Sequence, residues 1–172
     1  MEGSGVEIKV RPITLEDLDA VFSIDRKIRG KAKAITYANL TTERVFTIDR
    51  HIGRLAKSVS YVDLISGDVS GLLDLGFVIE VDGHVRGFIT GRVAQVGEAA
   101  TEVGVILILG VHPDYQRRGI AGRLVNAICE KFRSKGIKKV GIDVDRRDKD
   151  LVNFVEHMGF DVGHLIDYSK TL

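Results

Sequence analysis

Apolar and polar residues alternate near the start of the chain and predict a strand there. In residues 6–10 every second position is apolar, and the pattern stops near Pro12. Thr14 then predicts the start of a helix, because its hydroxyl can accept a hydrogen bond from a first-turn amide and acidic residues follow it. Apolar residues at steps of three and four in residues 42–59 predict a second helix.

The middle of the chain predicts three strands. Apolar segments at residues 77–81 and 85–92 are joined by Asp82-Gly83, a strong signal for a β-hairpin. The next segment, residues 102–111, is apolar on both faces, so it predicts a central strand covered by helices on both sides. Regular alternation predicts two opposite sets of side chains, Ile106 with Ile108 on one face, and on the other Val103, Val105, Leu107 and Leu109.

Helices and strands alternate in the remainder of the chain. An apolar stripe predicts a helix from Gly119 to Gly136. Residues 139–145 predict a second central strand, because Val140, Ile142 and Val144 share a face. Residues 149–158 predict a further helix, and the tail predicts a last strand.

The predicted order of elements, β-α-α-β-β-β-α-β-α-β, indicates a mixed α/β sheet. We expect one domain over residues 6–172 and a flexible leader at residues 1–5. The pattern weakens between residues 60 and 75, where a turn is expected. The chain shows no internal repeat and no linker that would divide it.

Composition narrows the class of protein. The 172 residues are 44% hydrophobic and 28% charged, which is ordinary for a globular domain. Twenty-five basic against twenty-four acidic residues give a net charge of +1, so the broad basic face that nucleic acid binding needs is not expected. The single cysteine, Cys129, fits a reducing compartment, and no signal peptide or membrane segment is visible. These observations predict a cytoplasmic protein without a nucleic acid or membrane partner.

Two arginines stand at the start of the predicted helix that begins at Gly119. Arg117 and Arg118 lie where the positive end of the helix dipole repels cations by a few tenths of a kcal/mol each, roughly. Small residues follow, so a ligand can approach the backbone closely. An anion bound at the helix start removes the electrostatic conflict, because amides, dipole and guanidinium groups then all attract it. A solvated basic turn is the alternative.

Three short patterns in and around this turn match the motifs of one known family. The turn itself, Gln116-Arg117-Arg118-Gly119-Ile120-Ala121, matches the motif Gln/Arg-x-x-Gly-x-Gly/Ala at every fixed position. The preceding Val111-x-Pro113-x-Tyr115 is typical, and Glu156-His157-Met158-Gly159-Phe160 matches Glu-x-x-Gly-Phe. In these patterns the chain resembles the GNAT superfamily of acetyl-CoA-dependent N-acetyltransferases. The resemblance implies a GNAT-like α/β fold, with a mixed, mostly antiparallel sheet whose splayed central strands are flanked by helices.

The resemblance also implies how acetyl-CoA is bound. Main-chain groups near the end of the first central strand would pair with the pantetheine arm, and amides of the arginine turn would hold the pyrophosphate. Asp148 stands where many members have asparagine, and it can cap the following helix. The residues expected to bind the cofactor are therefore Leu109, Gly110, Val111, Arg117, Arg118, Gly119, Ile120, Ala121, Gly122 and Asp148.

The catalytic residues are less well defined. Asp143 aligns with the family's carboxylate on the second central strand and is one candidate for the general base; Glu102, at the start of the first, is the other. Either can instead be a solvated strand-end acid. The tyrosine that serves most members as general acid is replaced by Val155, and Tyr168 is the candidate for a substitute. Cys129 is expected to pack in the core rather than act as a nucleophile.

Several alternatives remain open at this stage. The five histidines show no ligand spacing, so a metal site is not expected. A non-catalytic acyl-CoA-binding module of the same fold is the second hypothesis, and a nucleotide-binding protein the third. The acceptor, a small-molecule or protein amine, is undefined. Only twelve residues follow Phe160, which suggests an acceptor site that is open, or completed by residues 60–75 or by a second copy in a homodimer.

Overall fold

A computed structural model describes residues 5–30, 73–96, 100–163 and 171 of the chain. Several sequence predictions lie outside these residues: the second helix, most of the leader and of residues 60–75, Tyr168 and the last strand.

The described residues form strands, α-helices and two short 3₁₀ turns. The strands are β1 Ile8–Pro12, β2 Gly76–Val81, β3 His84–Val96, β4 Thr101–Val111 and β5 Val140–Gly141. The α-helices are α1 Leu18–Gly30, α2 Ile120–Ser134 and α3 Lys149–His157. The 3₁₀ turns are Leu15–Asp17, before α1, and Pro113–Tyr115, between β4 and α2.

The five described strands form one sheet in the order β1-β2-β3-β4-β5. Neighbours are antiparallel except for β4 and β5, which run parallel. The Asp82-Gly83 turn joins β2 to β3, and both residues have a positive φ, as a tight hairpin requires. The prediction of a mixed, mostly antiparallel sheet flanked by helices is therefore confirmed.

Helices cover the two faces of the sheet and create two cores. The α1 core joins α1 to strands β2, β3 and β4 through Val21, Ile24, Ile28, Val78, Phe88 and Ile108. The α2 core is larger and includes Ile106, Leu109, Val111, Leu124, Ile128, Phe132 and Val155. As predicted, β4 is buried on both faces, which explains its continuous apolar sequence.

The predicted faces of β4 are wrong beyond Ile106. Thr90 pairs with Ile108 and Gly91 with Ile106, which leaves Leu107 as an extra residue in a β-bulge. The extra residue breaks the two-residue repeat, so Ile106 and Leu109 belong to the α2 core whereas Ile108 belongs to the α1 core. Regular alternation had grouped Ile106 with Ile108.

The second central strand is also shorter than predicted. Ladder pairing of β5 with β4 covers only Gly104↔Val140 and Val105↔Gly141. Ile142 and Val144 still pack against the α2 core, so the alternating pattern that predicted residues 139–145 reports burial correctly. Beyond Gly141 the chain leaves the ladder, and the central strands are splayed. In contrast, β3 continues to Val96, four residues beyond its predicted end.

Candidate functional site

The turn between β4 and α2 contains a helix start without a capping side chain. Gly119 occupies the N-cap with a left-handed φ of 76°, and it makes no side-chain capping hydrogen bond. The first intrahelical bond that closes on this residue is from Arg123 N–H to Gly119 O, so the amides of Ile120 to Gly122 precede the helical ladder. A ligand with anionic oxygens can satisfy such amides, as the sequence predicts.

The side chains around this helix start leave it accessible. An atom placed at a Gly119 Cβ position would have no neighbour within 4 Å. Arg117 and Arg118 are exposed, and Arg117 also has a left-handed φ, of 64°. Ile120 is different, since its side chain is buried in the α2 core and only its amide can contribute to binding. Ala121 and Gly122 are partly buried, with Met158 3.4 Å from a Gly122 Cβ position.

Beyond Val105 and Gly141 the strands β4 and β5 are no longer paired, and we call the gap between them the splay. The end of β4 exposes main-chain groups on this side. His112 N–H donates to Arg86 O of β3 at 2.8 Å. Because main-chain groups of successive strand residues point to opposite edges, those of Leu109 and Val111 point away from β3. In the described part of the chain no strand pairs with them there, because the ladder with β5 ends at Val105. Val111 O accepts from the Gln116 side-chain amide at 3.2 Å, which ties the strand end to the turn.

Gly110 has a packing role. A Cβ at this position would lie 2.6 Å from Phe88 Cε1 and 3.3 Å from Ile28 Cδ1, both in the α1 core. The structure therefore explains the absence of a side chain at Gly110 by the close approach of Phe88. Leu109, Gly110 and Val111 are all expected to pair with the pantetheine arm. Of these three residues, Leu109 and Val111 have main-chain groups that face the splay, and Gly110 does not.

Asp148 caps α3, as predicted. Its Oδ1 accepts from Leu151 N–H at 3.1 Å. Its Oδ2 is buried and has no hydrogen-bond partner among the described residues. A buried carboxylate oxygen without a partner costs free energy, so a donor on a ligand would stabilise it.

The two candidate bases lie at opposite ends of the β4–β5 pairing. Glu102 precedes Gly104 by two residues, whereas Asp143 follows Gly141 by two. Glu102 therefore lies three strand positions, about 10 Å at 3.3 Å per residue, before the level at which β5 leaves the ladder, and Asp143 lies beyond that level. Both side chains are exposed, and Asp143 stands opposite to the inward-facing Ile142 and Val144. Asp143 lies toward the end of the sheet that carries Leu109, Val111 and the turn.

Val155 is buried in the α2 core, with 7% of its surface exposed, so it offers no group to a departing thiolate. Cys129 is half-buried against the same core, and burial raises the pKa of its thiol. A nucleophilic cysteine would need the opposite shift. Both observations agree with the sequence predictions for these residues.

The described residues contain neither a candidate metal site nor a helix that could span a membrane. They contain no group of three or more His, Cys, Asp or Glu side chains that could hold a metal ion. Among the same residues, every helix is too short or too polar to cross a membrane.

The structure brings together a group of basic and aromatic side chains on the β3 side of the turn, and the sequence does not predict this group. Arg86 and Arg118 both lie close to the Tyr115 ring, with guanidinium carbons 4.7 and 5.1 Å from its centroid. Lys27 Nζ lies 3.1 Å from His112 Nε2. These residues come from α1, β3 and the turn, so their spacing along the chain carries no signal. Only Tyr115 and Arg118 fall within a recognisable motif.

Several solved structures share this fold. The aminoglycoside N-acetyltransferase AAC(6')-Iy in complex with CoA is similar over 99% of both chains, with a TM-score of 0.66 and 15% identity. The aminoglycoside acetyltransferase meta-AAC0020 from an uncultured soil metagenomic sample, in complex with trehalose, is similar over 96% of both chains, with a TM-score of 0.61 and 18% identity. Ribosomal-protein-alanine N-acetyltransferase from Brucella melitensis biovar Abortus 2308 covers 96% of this chain and 99% of its own, with a TM-score of 0.61 and 15% identity.

At these identities the structural likeness establishes the fold. The family comes from a sequence comparison: the model of the Acetyltransferase (GNAT) family matches residues 43–160, which is more than half of the chain. This match includes the hairpin, both central strands and the turn with its two arginines. The chain belongs to the GNAT family of acetyltransferases.

Proposed function

We propose that this protein transfers the acetyl group of acetyl-CoA directly to a primary amine. The observation that carries the proposal is the coincidence of two features at one end of the sheet. The uncapped start of α2 at Gly119 can take a pyrophosphate, and the β4 edge at Leu109 and Val111 can pair with an extended amide chain. Coenzyme A contains both groups, joined together.

Each part of the turn has a distinct role in this binding. The amides from Arg117 to Gly122 donate to the pyrophosphate oxygens, and the guanidinium groups of Arg117 and Arg118 neutralise its charge. Gln116 fixes the geometry of the turn through its bond to Val111 O. Asp148 caps α3 beside this end of the sheet, with one buried carboxylate oxygen left for a donor on the ligand.

The reaction requires an uncharged amine. A lysine-like ammonium has a pKa of about 10.4, so a base must remove a proton before the nitrogen attacks the thioester carbonyl. The C–N bond then forms, the C–S bond breaks, and the electron pair leaves on sulfur. We assign the base to Asp143, because it lies toward the same end of the sheet as Leu109 and Val111. Glu102 lies at the opposite end of the β4–β5 pairing.

The leaving thiolate needs no protein acid in this scheme. Val155 has no proton to donate, and a thiol pKa of about 8.5 makes the thiolate a tolerable leaving group. The proton released from the acetylated nitrogen, or one from water, then neutralises the sulfur. Tyr168 is the alternative donor, and Tyr168→Phe tests it: a fall in kcat of more than about tenfold would assign it that role.

Binding is tested by calorimetry with acetyl-CoA and, as a control, ATP. We expect acetyl-CoA to bind and ATP to fail, because only the first carries a pantetheine arm for the β4 edge. Binding of both with equal affinity would favour a nucleotide-binding protein.

Catalysis is tested by release of free thiol from acetyl-CoA. Asp143→Asn should lower kcat/KM by about a hundredfold or more, the usual contribution of a general base. Glu102→Gln should change it by less than about threefold, since its carboxylate lies at the far end of the pairing. Equal losses in the two variants, or a larger loss in Glu102→Gln, would contradict the assignment.

The acceptor is best sought among chemically different amines. The similar structures include aminoglycoside acetyltransferases and a ribosomal-protein-alanine N-acetyltransferase, so a panel should contain aminoglycosides, polyamines, amino acids and peptides with free N-termini.

We also propose that a second copy of the chain helps to complete the acceptor side of the site. A monomer in solution scattering that has full activity would refute the dimer.

A non-catalytic acyl-CoA-binding module is the second candidate, and the burial of Val155 at the usual acid position favours it. Such a module would bind acetyl-CoA and release no thiol with any amine of the panel. Asp143→Asn would then leave affinity and all other properties unchanged.

A further inference from the structure

A cavity lies beside the turn, on the side of β4 that faces β3 and away from the splay. Its volume is about 480 Å³, and its lining includes Lys27, Arg86, His112, Pro113, Asp114 and Tyr115. We call it the basic pocket. Three parts of the fold build it: the C-terminal half of α1, the start of β3, and the segment that follows β4.

Arg86 is held in this pocket by its strand. The pairs Ile79↔Gly87 and Glu80↔Val85 leave Arg86 as an extra residue, in a bulge of β3. Its main-chain oxygen accepts from His112, and its guanidinium carbon lies 4.7 Å from the Tyr115 ring centroid. The Nε atom is buried and has no hydrogen-bond partner among the described residues. A buried N–H of a charged group calls for an acceptor, and the described residues supply none.

Lys27 adds a second cation, and it too has no carboxylate partner in the part of the chain that the structure describes. Its Nζ contacts His112 Nε2 at 3.1 Å, while Asp114 N–H donates to His112 Nδ1 at 3.2 Å. Among the described residues, no ion pair joins Lys27 or Arg86 to a carboxylate. The Asp114 carboxylate is the one acid of the named lining; its side chain is 69% exposed, and it lies 3.9 Å from His112 Nδ1.

Arg118 connects the pocket to the turn. Its guanidinium carbon lies 5.1 Å from the Tyr115 ring centroid, so Tyr115 is close to two guanidinium groups. Their mutual repulsion is reduced by the negative faces of the ring and would be removed by an anion between them. A dianion matches this cluster better than a single carboxylate, because Lys27, Arg86 and Arg118 all contribute positive charge.

The geometry points to the basic pocket as a binding site for a phosphomonoester, separate from the main-chain pyrophosphate site at Gly119. The Arg86 guanidinium group and the Lys27 ammonium donate to the phosphate oxygens, and the cavity is large enough for a group attached to them. Two sources carry this chemistry. One is the 3′-phosphate of a coenzyme A held on the turn, a case that rests on the proposed function; the other is a separate phosphorylated small molecule.

Calorimetry with coenzyme A, 3′-dephospho-coenzyme A and orthophosphate tests the site in the full chain. If the 3′-phosphate occupies the pocket, coenzyme A binds about tenfold more tightly than its dephospho form, and Arg86→Gln or Lys27→Gln abolishes this difference. If a separate ligand is used, orthophosphate binds the wild-type protein in the presence of saturating dephospho-coenzyme A and fails to bind Arg86→Gln. Either result supports the site.

The matched control is Arg133→Gln, an exposed arginine paired with Glu130 at the far end of α2, which should leave all three affinities unchanged. Equal affinities for coenzyme A and its dephospho form, together with no binding of orthophosphate, would overturn the proposal. An equal loss of both coenzyme A forms in Arg86→Gln without orthophosphate binding would overturn it too. If neither coenzyme A nor its dephospho form binds the wild-type protein, the proposed function fails. The phosphomonoester site is then tested separately, by comparing orthophosphate binding to the wild-type protein and to Arg86→Gln.

Discussion

Gly119 and Gly83 have nearly the same backbone conformation, with φ values of 76° and 75°, and neither has an atom within 4 Å of a Cβ position. Alanine in the left-handed region costs about 1 kcal/mol at either residue. We expect Gly119→Ala and Gly83→Ala to be folded and destabilised to a similar extent. Only Gly119→Ala should lower the affinity for coenzyme A, by about tenfold or more, because its methyl group occupies the approach to the α2 amides.

Calorimetry and chemical denaturation on the same two variants check this prediction. The Gly83 variant removes the effect of backbone strain from the comparison. Coenzyme A affinities that agree within about twofold between the variants would show that the helix start at Gly119 is not the pyrophosphate site.

Asp17 links the first strand to α1 and makes stability depend on pH. Arg11 donates to both carboxylate oxygens at 2.7 Å, and Thr14 N–H donates at 2.8 Å. The hydrogen bond from Arg11 holds the pKa of Asp17 below its usual value, despite the burial of the carboxyl group. Because the folded pKa is depressed, the stabilisation is present above the unfolded pKa of about 3.9 and is lost as pH falls through the folded pKa.

Asp17→Asn should therefore lower the free energy of unfolding at pH 7 by about 2 kcal/mol. The variant should also lose part of the decline that the wild type shows as pH falls below about 4. Urea denaturation at pH 7 and pH 3 measures both effects, with Asp161→Asn, at an exposed acid, as the control. Parallel pH profiles for wild type and Asp17→Asn would contradict the assignment.

At the scale of elements, the contact between β4 and α2 leaves no room at Gly104. A Cβ there would lie 2.8 Å from Phe132 Cγ and Cδ1, whereas Gly141 on the neighbouring strand has no atom within 4 Å. Gly104→Ala should lower the free energy of unfolding by about 2 kcal/mol through overpacking, and Gly141→Ala should change it by less than about 0.5 kcal/mol.

A double-mutant cycle by chemical denaturation isolates this contact. In a Phe132→Leu background the added methyl group meets a smaller side chain, so Gly104→Ala should cost less there than in the wild type. Equal costs in both backgrounds would place the strain elsewhere.

The elements show what a sequence pattern can and cannot predict. Asp82-Gly83 predicted the hairpin correctly, because its backbone requirement is local. The bulge at Leu107 was missed, since an extra residue in one strand is defined only by its partner on β3. The length of β5 was overestimated because alternation reports burial, and Ile142 and Val144 are partly buried without being in the ladder.

For the whole molecule, ligand binding should raise thermal stability, because the proposed site is built from β4, the turn and α2, and forms only in the folded chain. At a coenzyme A concentration a hundred times its Kd, linkage contributes about 2.7 kcal/mol. For a chain of this length that corresponds to a rise in Tm of about 5–10 °C.

Differential scanning calorimetry measures this shift. ATP at the same concentration should leave Tm unchanged, and Gly119→Ala should show a smaller rise with coenzyme A. An equal rise with ATP would identify a general nucleotide site.

The proposed pyrophosphate site could be inferred from the sequence because Gln116 to Gly122 are contiguous, and local electrostatics at a helix start depends on few residues. The basic pocket could not be predicted from the sequence. Lys27 and His112 are 85 positions apart, and only the packing of α1 across the sheet brings their nitrogens together. The relative positions of Asp143 and Glu102 likewise depend on strand register.

Leu107 adds one residue to β4 and thereby shifts the phase of the strand by half a period. Residues before it and after it follow the same two-residue rhythm, but the odd-numbered and even-numbered positions exchange faces at Leu107, so Ile106 and Leu109 face the same core. Substitution of Leu107 and deletion of Leu107 should therefore have different effects on the strand. Another apolar side chain alters one contact with the α1 core, whereas loss of the residue would restore a regular ladder with β3 and leave each half of β4 facing its present core.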